Sequence, residues 1–181
     1  MDILSGKRII LPLKYSVAKS LKAGQWVRLT GYVYTVRDAA HKRLAKTIER
    51  GKKIPIPLKE QIIYYTGPTA SFSGHIIGSC GPTTSSRMDK YTPVLLENGL
   101  VGMIGKGERS EQVRLAIKKY RAIYFVTFGG AGAFLSRFVK KCNIAAYPDL
   151  GTEAIYKIFF EDFPVMIGIE TNGNCFSNKK S

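Results

Sequence analysis

The chain has 181 residues, is 45% hydrophobic and carries a formal net charge of +15, from 28 Lys and Arg against 13 Asp and Glu. That length suffices for the core of one domain over residues 1–181. No apolar run reaches the ~20 residues of a membrane span, and the opening Met1-Asp2-Ile3-Leu4-Ser5-Gly6-Lys7-Arg8 lacks the order of a secretory signal, so a cytoplasmic protein is expected.

In chain order, residues 8–13 are extended, and Pro12 suits an edge strand. Residues 26–34 alternate apolar with polar or small side chains, and the alternation shifts at Gly31, as at a bulge. This strand delivers Arg37 to its C-terminal end. Asp38 is the expected N-cap of a helix reaching about Arg50, with Ala40, Leu44 and Ile48 four apart and Gly51 as the stop. Pro55 and Pro57 precede a strand at 61–66, and Ile76-Ile77-Gly78 reads as a strand end. Three helix–strand alternations follow: 86–98 into 101–104, 110–121 into 122–127, and 134–142 into a short apolar piece near Ile144. Residues 163–169 form the last strand. The pattern predicts an α/β fold with a partly parallel sheet and flanking helices, whose anion-facing loops gather at one end of the strands.

The charge admits nucleic acid, an anionic membrane surface, or an acidic protein together with anionic substrates. Nucleic-acid binding needs basic residues interleaved with exposed aromatics. Here the aromatics sit in apolar runs such as Ile62-Ile63-Tyr64-Tyr65, and the cations lie on predicted helix faces, as in Lys42, Arg43, Lys46 and Arg50. No nucleic acid and no membrane are therefore expected as partners; a basic nucleic-acid-binding domain is the alternative, supported by charge alone. Cys80, Cys142 and Cys175 form no Cys-x-x-Cys pair, so a local zinc or cluster site is not expected, although three distant cysteines can still converge.

The richest segment is Gly81-Pro82-Thr83-Thr84-Ser85-Ser86-Arg87-Met88-Asp89. A turn-forming Gly-Pro, four hydroxyls and an arginine before a helical pattern offer donors and a positive helix end to a small anion. Arg37, between a strand and a helix, can grip a carboxylate with two parallel hydrogen bonds. Lys106, flanked by glycines after a strand, suits a second carboxylate. His41, one turn into its helix, reads as structural. Gly129-Gly130-Ala131-Gly132 lacks dinucleotide spacing and reads as a tight turn.

Three motifs, Arg37-Asp38-Ala39-Ala40-His41-Lys42-Arg43, the segment from Gly81 to Asp89, and Lys106-Gly107-Glu108-Arg109-Ser110, stand in this order and at these distances. Together they resemble the beta subunit of class I iron–sulfur fumarate hydratases and the related L(+)-tartrate dehydratase beta subunits, over nearly the whole chain. The resemblance implies a swivelling β/β/α-type domain with Thr83 as the catalytic threonine and Arg37, Arg87 and Lys106 as substrate-binding residues for a C4 dicarboxylate. It implies no metal ligand here, since a 4Fe-4S cluster would belong to an alpha subunit in a hetero-oligomer, and the beta chain would be inactive alone. The implied reaction is the reversible hydration of fumarate to L-malate. A non-catalytic dicarboxylate-binding module is a further alternative. By themselves, two arginines, a lysine and a hydroxyl bind a dianion but supply neither a strong base nor a Lewis acid.

Overall fold

Short apolar runs of period two build a sheet with two buried faces. The computed structural model describes residues 5–71 and 74–176; the first four residues of the N-terminal reading above lie outside them. Among the described residues there are seven strands: β1 (Lys7–Ile10), β2 (Trp26–Thr35), β3 (Ile62–Tyr64), β4 (Gly102–Gly105), β5 (Ile123–Val126), β6 (Val139–Ala146) and β7 (Ile155–Ile169). Strands β1 to β5 are successive parallel neighbours. The long β7 runs antiparallel to β2, β5 and β6. Because β7 pairs with both β2 and β5, the circuit β2-β3-β4-β5-β7 closes on itself. This is the mixed, partly parallel α/β architecture the pattern predicts, with β1 at an edge as Pro12 suggests.

Closure gives each strand an inner and an outer core. Ile62, Tyr64, Ile104 and Phe125 join Val33 and Phe160 in one buried cluster. The intervening Ile63, Tyr65, Met103 and Tyr124 join a second. Inside, Phe160 and Phe163 stack at 3.8 Å, with Tyr64 edge-on to each. Outside, the sheet is covered by α2 (Asp38–Glu49), α3 (Thr92–Glu97) and α4 (Glu111–Tyr120), which bury Leu44, Leu95 and Ile117. Each such side chain contributes roughly 1.5–3 kcal/mol. The short α1 (Tyr15–Ser20) and α5 (Gly132–Ser136) pack against the inner cluster through Ala18 and Leu135.

Four local expectations change. The helix expected at 86–98 is a 3₁₀ turn, Ser85–Met88, followed by α3. Pro93 lacks an N–H and would clash with the Asp89 carbonyl in a continuous helix. The helix expected at 134–142 ends at Ser136, and β6 takes over. Its ladder along Ile155–Phe160 of β7 outweighs local helix propensity. The register slips opposite Gly31 as expected, but the extra residue is on β7: Leu29 pairs with Phe163 and Gly31 with Phe160. Asp162, with φ 54, absorbs the bulge. Finally, Ile76-Ile77-Gly78 is not in a strand; its loop closes by hydrogen bonds between Gly78 and Thr69 and between Thr69 and Ser79.

Candidate active site

Parallel pairing sends the C-terminal ends of β2, β3, β4 and β5 to one end of the sheet, and the loops that leave them carry the four residues singled out in the sequence. Arg37 follows β2, and Lys106 follows β4. The segment carrying Thr83 and Arg87 is laced across the ends of β3 and β4. Thr83 N–H donates to the Tyr65 carbonyl at 2.6 Å, and Ser85 N–H to the Lys106 carbonyl at 3.0 Å. Thr84 bridges to Lys106 in parallel fashion, and Thr66 Oγ1 donates to the Gly81 carbonyl at 2.8 Å. These bonds keep Thr83 half-buried while Thr84 is exposed.

Asp38 is not the cap expected. It is the first helical residue of α2, and Arg37 occupies the N-cap position without a side-chain cap bond. The Asp38 carboxylate instead receives Arg87, with Nε donating to Oδ1 at 3.0 Å and Nη2 2.9 Å from Oδ2. Arg37 Nη2 lies 3.9 Å from the same Oδ2 and 3.5 Å from Glu153 Oε1. Glu153 also accepts the Ala39 N–H at 2.9 Å, which satisfies a free donor at the helix start. Asp38 thus joins Arg37 to Arg87. Gly67 leaves room for Arg37, since a Cβ there would lie 2.9 Å from Arg37 Cδ.

The Lys106 side chain crosses Gly129, where an added Cβ would meet its Cδ at 3.2 Å. Gly132 lies against Gly81, and a Cβ on it would fall 2.1 Å from Ser79 Oγ. The glycine run after β5 therefore serves close packing around the site. Among the described residues, no hydrogen bond is formed by Lys106 Nζ, the Thr83 hydroxyl or Arg87 Nη1.

Beneath these groups lies a buried hydrogen-bonded layer that the sequence did not reveal. Ser85 Oγ accepts the Lys106 N–H at 3.1 Å and lies 2.8 Å from the Tyr124 hydroxyl. Gly105 makes that approach possible, because its Cβ would fall 2.0 Å from Ser85 Oγ. Arg109, with a side chain 0% exposed, donates to Asp89 Oδ1 and Thr92 Oγ1 at 2.7 Å each and to the Tyr65 hydroxyl at 3.3 Å. Burial opposes its charge, but the Tyr65 and Asp89 oxygens more than offset this and raise its pKa. His41 donates from Nδ1 to the Arg37 carbonyl at 3.0 Å and meets the Tyr65 ring edge-on at 5.3 Å. Burial lowers its pKa to about 4, so the imidazole that holds the Arg37 carbonyl is neutral at physiological pH.

The cysteines do not converge. Cys80 and Cys142 belong to the inner core and Cys175 to the outer one, and burial pushes the Cys80 thiol up to about 12. Among the described residues, no group of three or more His, Cys, Asp or Glu could hold a metal ion. These residues do not fit an iron–sulfur cluster. Away from the site, α2 borders a groove of about 520 Å³ lined by Lys42, Arg43, Lys46, Arg50 and Lys52. A carboxylate at its edge, Asp149, is taken up by Arg43 at 2.9 and 2.7 Å.

A family model described as Fumarase C-terminus matches residues 7–180. The chain is 43% identical over 150 residues to the anaerobic class I fumarate hydratase of Escherichia coli, covering 82% of this chain and 27% of that protein. It is 37% identical over 158 residues to fumarate hydratase 2 of Leishmania major, covering 86% and 28%. Against the putative L(+)-tartrate dehydratase subunit beta of Methanocaldococcus jannaschii, identity is 31% over 162 residues, covering 86% and 83%. The chain thus spans about a quarter of the length of the fumarate hydratases it matches and most of that of the tartrate dehydratase subunit.

Proposed function

Since this chain belongs to the fumarase C-terminal family, we propose that it is the beta subunit of a class I fumarate hydratase and forms one half of a site for the reversible hydration of fumarate to L-malate. The observation that carries this reading is the gathering of Arg37, Thr83, Arg87 and Lys106 at one end of the parallel strands, with Asp38 linking the two arginines. Arg87 and Arg37 hold one carboxylate of a C4 dianion, and Lys106 holds the other. Thr83, fixed by its backbone to the end of β3, presents its hydroxyl for proton transfer. A threonine is a weak acid and a weak base at its free pKa, so the remaining catalytic groups are assigned to an alpha subunit, together with the 4Fe-4S cluster for which the described residues of this chain offer no ligand set. The basic groove beside α2 supports an acidic surface on that partner. A cytoplasmic location and a swivelling attachment to the cluster-bearing chain belong to the same proposal. No helix among the described residues is long and apolar enough to cross a membrane.

A second reading, the beta subunit of an L(+)-tartrate dehydratase, is favoured by the similarity to the Methanocaldococcus subunit over most of its length. The two substrates differ by one hydroxyl. Anaerobic co-expression with a cluster-bearing alpha chain, assayed with fumarate, malate and tartrate, separates them. Activity is expected with both chains together and with neither alone. Dehydration of tartrate in preference to malate selects the second reading, and activity of this chain alone overturns both.

A further inference from the structure

We infer that Asp38 is a positioning residue, which holds the Arg87 guanidinium by one edge so that its other edge faces an incoming carboxylate. The inference rests on the reading of Arg87 as a carboxylate-binding group. A guanidinium has two edges that can meet a carboxylate in parallel, Nε with one Nη and the two Nη together. Asp38 holds the first by one hydrogen bond and one ion pair: Oδ1 accepts from Nε at 3.0 Å, and Oδ2, which accepts no hydrogen bond among the described residues, lies 2.9 Å from Nη2. The second edge, which includes Nη1, meets no acceptor among the described residues, and the Arg87 side chain is 51% exposed. Its charge is therefore presented outward from a held base.

Asp38 can hold because it is itself held. It opens α2, and Glu153 accepts the N–H of the next residue at 2.9 Å. His41 ties down the preceding carbonyl at 3.0 Å. A half-exposed arginine without such an anchor samples many rotamers, and ordering it on binding weakens affinity. Two other roles for Asp38 make different predictions. As an acid in the first helical turn it would favour α2 through the helix dipole, and its loss would lower stability without touching substrate affinity. As an internal competitor for Arg87 it would have to leave when substrate arrives, and its loss would tighten binding.

The test uses the reconstituted two-chain enzyme with Asp38→Asn and Asp38→Glu, together with nitrogen-15 NMR of the arginine Nε–H groups in the full isolated chain. Asp38→Asn is expected to raise KM for fumarate and malate ~10-fold with kcat within ~2-fold, and Asp38→Glu to recover part of that loss. The Arg87 Nε–H signal, identified by its disappearance in Arg87→Lys, should exchange slowly with solvent in the parent chain and rapidly in Asp38→Asn. An unchanged KM alongside a lowered Tm, or a lowered KM, overturns the inference. If the parent enzyme lacks dehydratase activity, the functional reading fails on its own account. The Nε–H signal then still decides, and its persistence in Asp38→Asn overturns the positioning role.

Discussion

Arg109 and Arg87 each meet an aspartate, yet the two pairs occupy opposite environments. Arg109 is fully buried and is matched by Asp89, Thr92 and the Tyr65 hydroxyl, with its guanidinium over the Tyr65 and Tyr124 rings at 5.3 and 5.0 Å. Arg87 is half exposed, meets Asp38 along one edge and leaves the other open. A buried cation must have all its donors satisfied, or desolvation makes it destabilising. A cation that receives a ligand must keep some of them free. The first pair belongs to a floor, with Ser85, Tyr124 and His41, and the second to a rim, with Thr83, Lys106 and Arg37. Rim substitutions should change kinetics and leave stability alone, and floor substitutions should do the reverse.

The largest expected effect is on the rim. Thr83→Val keeps the shape and the backbone bond to Tyr65 but removes the hydroxyl, so turnover should fall ~10²–10⁴-fold in the reconstituted enzyme. Thr84→Val, one residue on and exposed, should retain near-parent turnover. Steady-state kinetics with malate check both. A reversed pattern breaks the assignment of Thr83 to the rim.

Next comes the floor. Arg109→Met removes the guanidinium and leaves the Asp89 carboxylate, whose side chain is only 14% exposed, without its countercharge and with the Ser110 N–H as its remaining donor. Urea unfolding should show a loss of ~3–5 kcal/mol. Arg87→Lys should stay within ~0.5 kcal/mol of the parent while raising KM, because an ammonium forfeits the two-point grip. Equal stability losses at the two arginines would erase the distinction.

The location of the rim was readable from local pattern, since Thr83 and Arg87 share one segment and Arg37 and Lys106 each stand at a strand end, while the roles expected of these residues came from the family resemblance. The floor was not, because its bonds join distant residues. Tyr124 reaches Ser85 across 39 positions, Arg109 reaches Asp89 across 20, and Glu153 reaches Ala39 across 114. No local periodicity encodes such pairs. The same limit explains β6, whose residues 139–142 followed a helical pattern until β7 supplied a ladder. Asp38 was read as a cap because its partner, Arg87, is 49 residues away.

The floor should also set the acid limit of stability. Burial is the main cause that brings His41 to about 4 from an ordinary 6.5; the Arg37 carbonyl opposes the shift and Arg109 adds to it. The unfolded chain therefore takes up a proton near pH 6.5 that the folded chain refuses until about pH 4. Stability is full above pH 6.5 and falls as pH drops through this window, by roughly 3 kcal/mol from this group. His41→Gln should flatten that part of the pH–stability curve. If the slope between pH 6.5 and 4 is unchanged in the variant, His41 is not its source.

The smallest effect tests where the floor ends. Ser110 contributes two separate bonds: its N–H donates to Asp89 Oδ2 at 2.7 Å, and its Oγ accepts the Val113 N–H at 3.3 Å to cap α4. Ser110→Ala deletes the cap and spares the bond to Asp89. Stability should fall by about 1 kcal/mol, and the kinetic constants should not move, since Asp89 and Arg109 keep their geometry. Urea unfolding paired with malate kinetics measures both. A change in KM or kcat larger than ~2-fold would mean that the α4 start is coupled to the rim, and the floor would then extend further than its hydrogen bonds indicate.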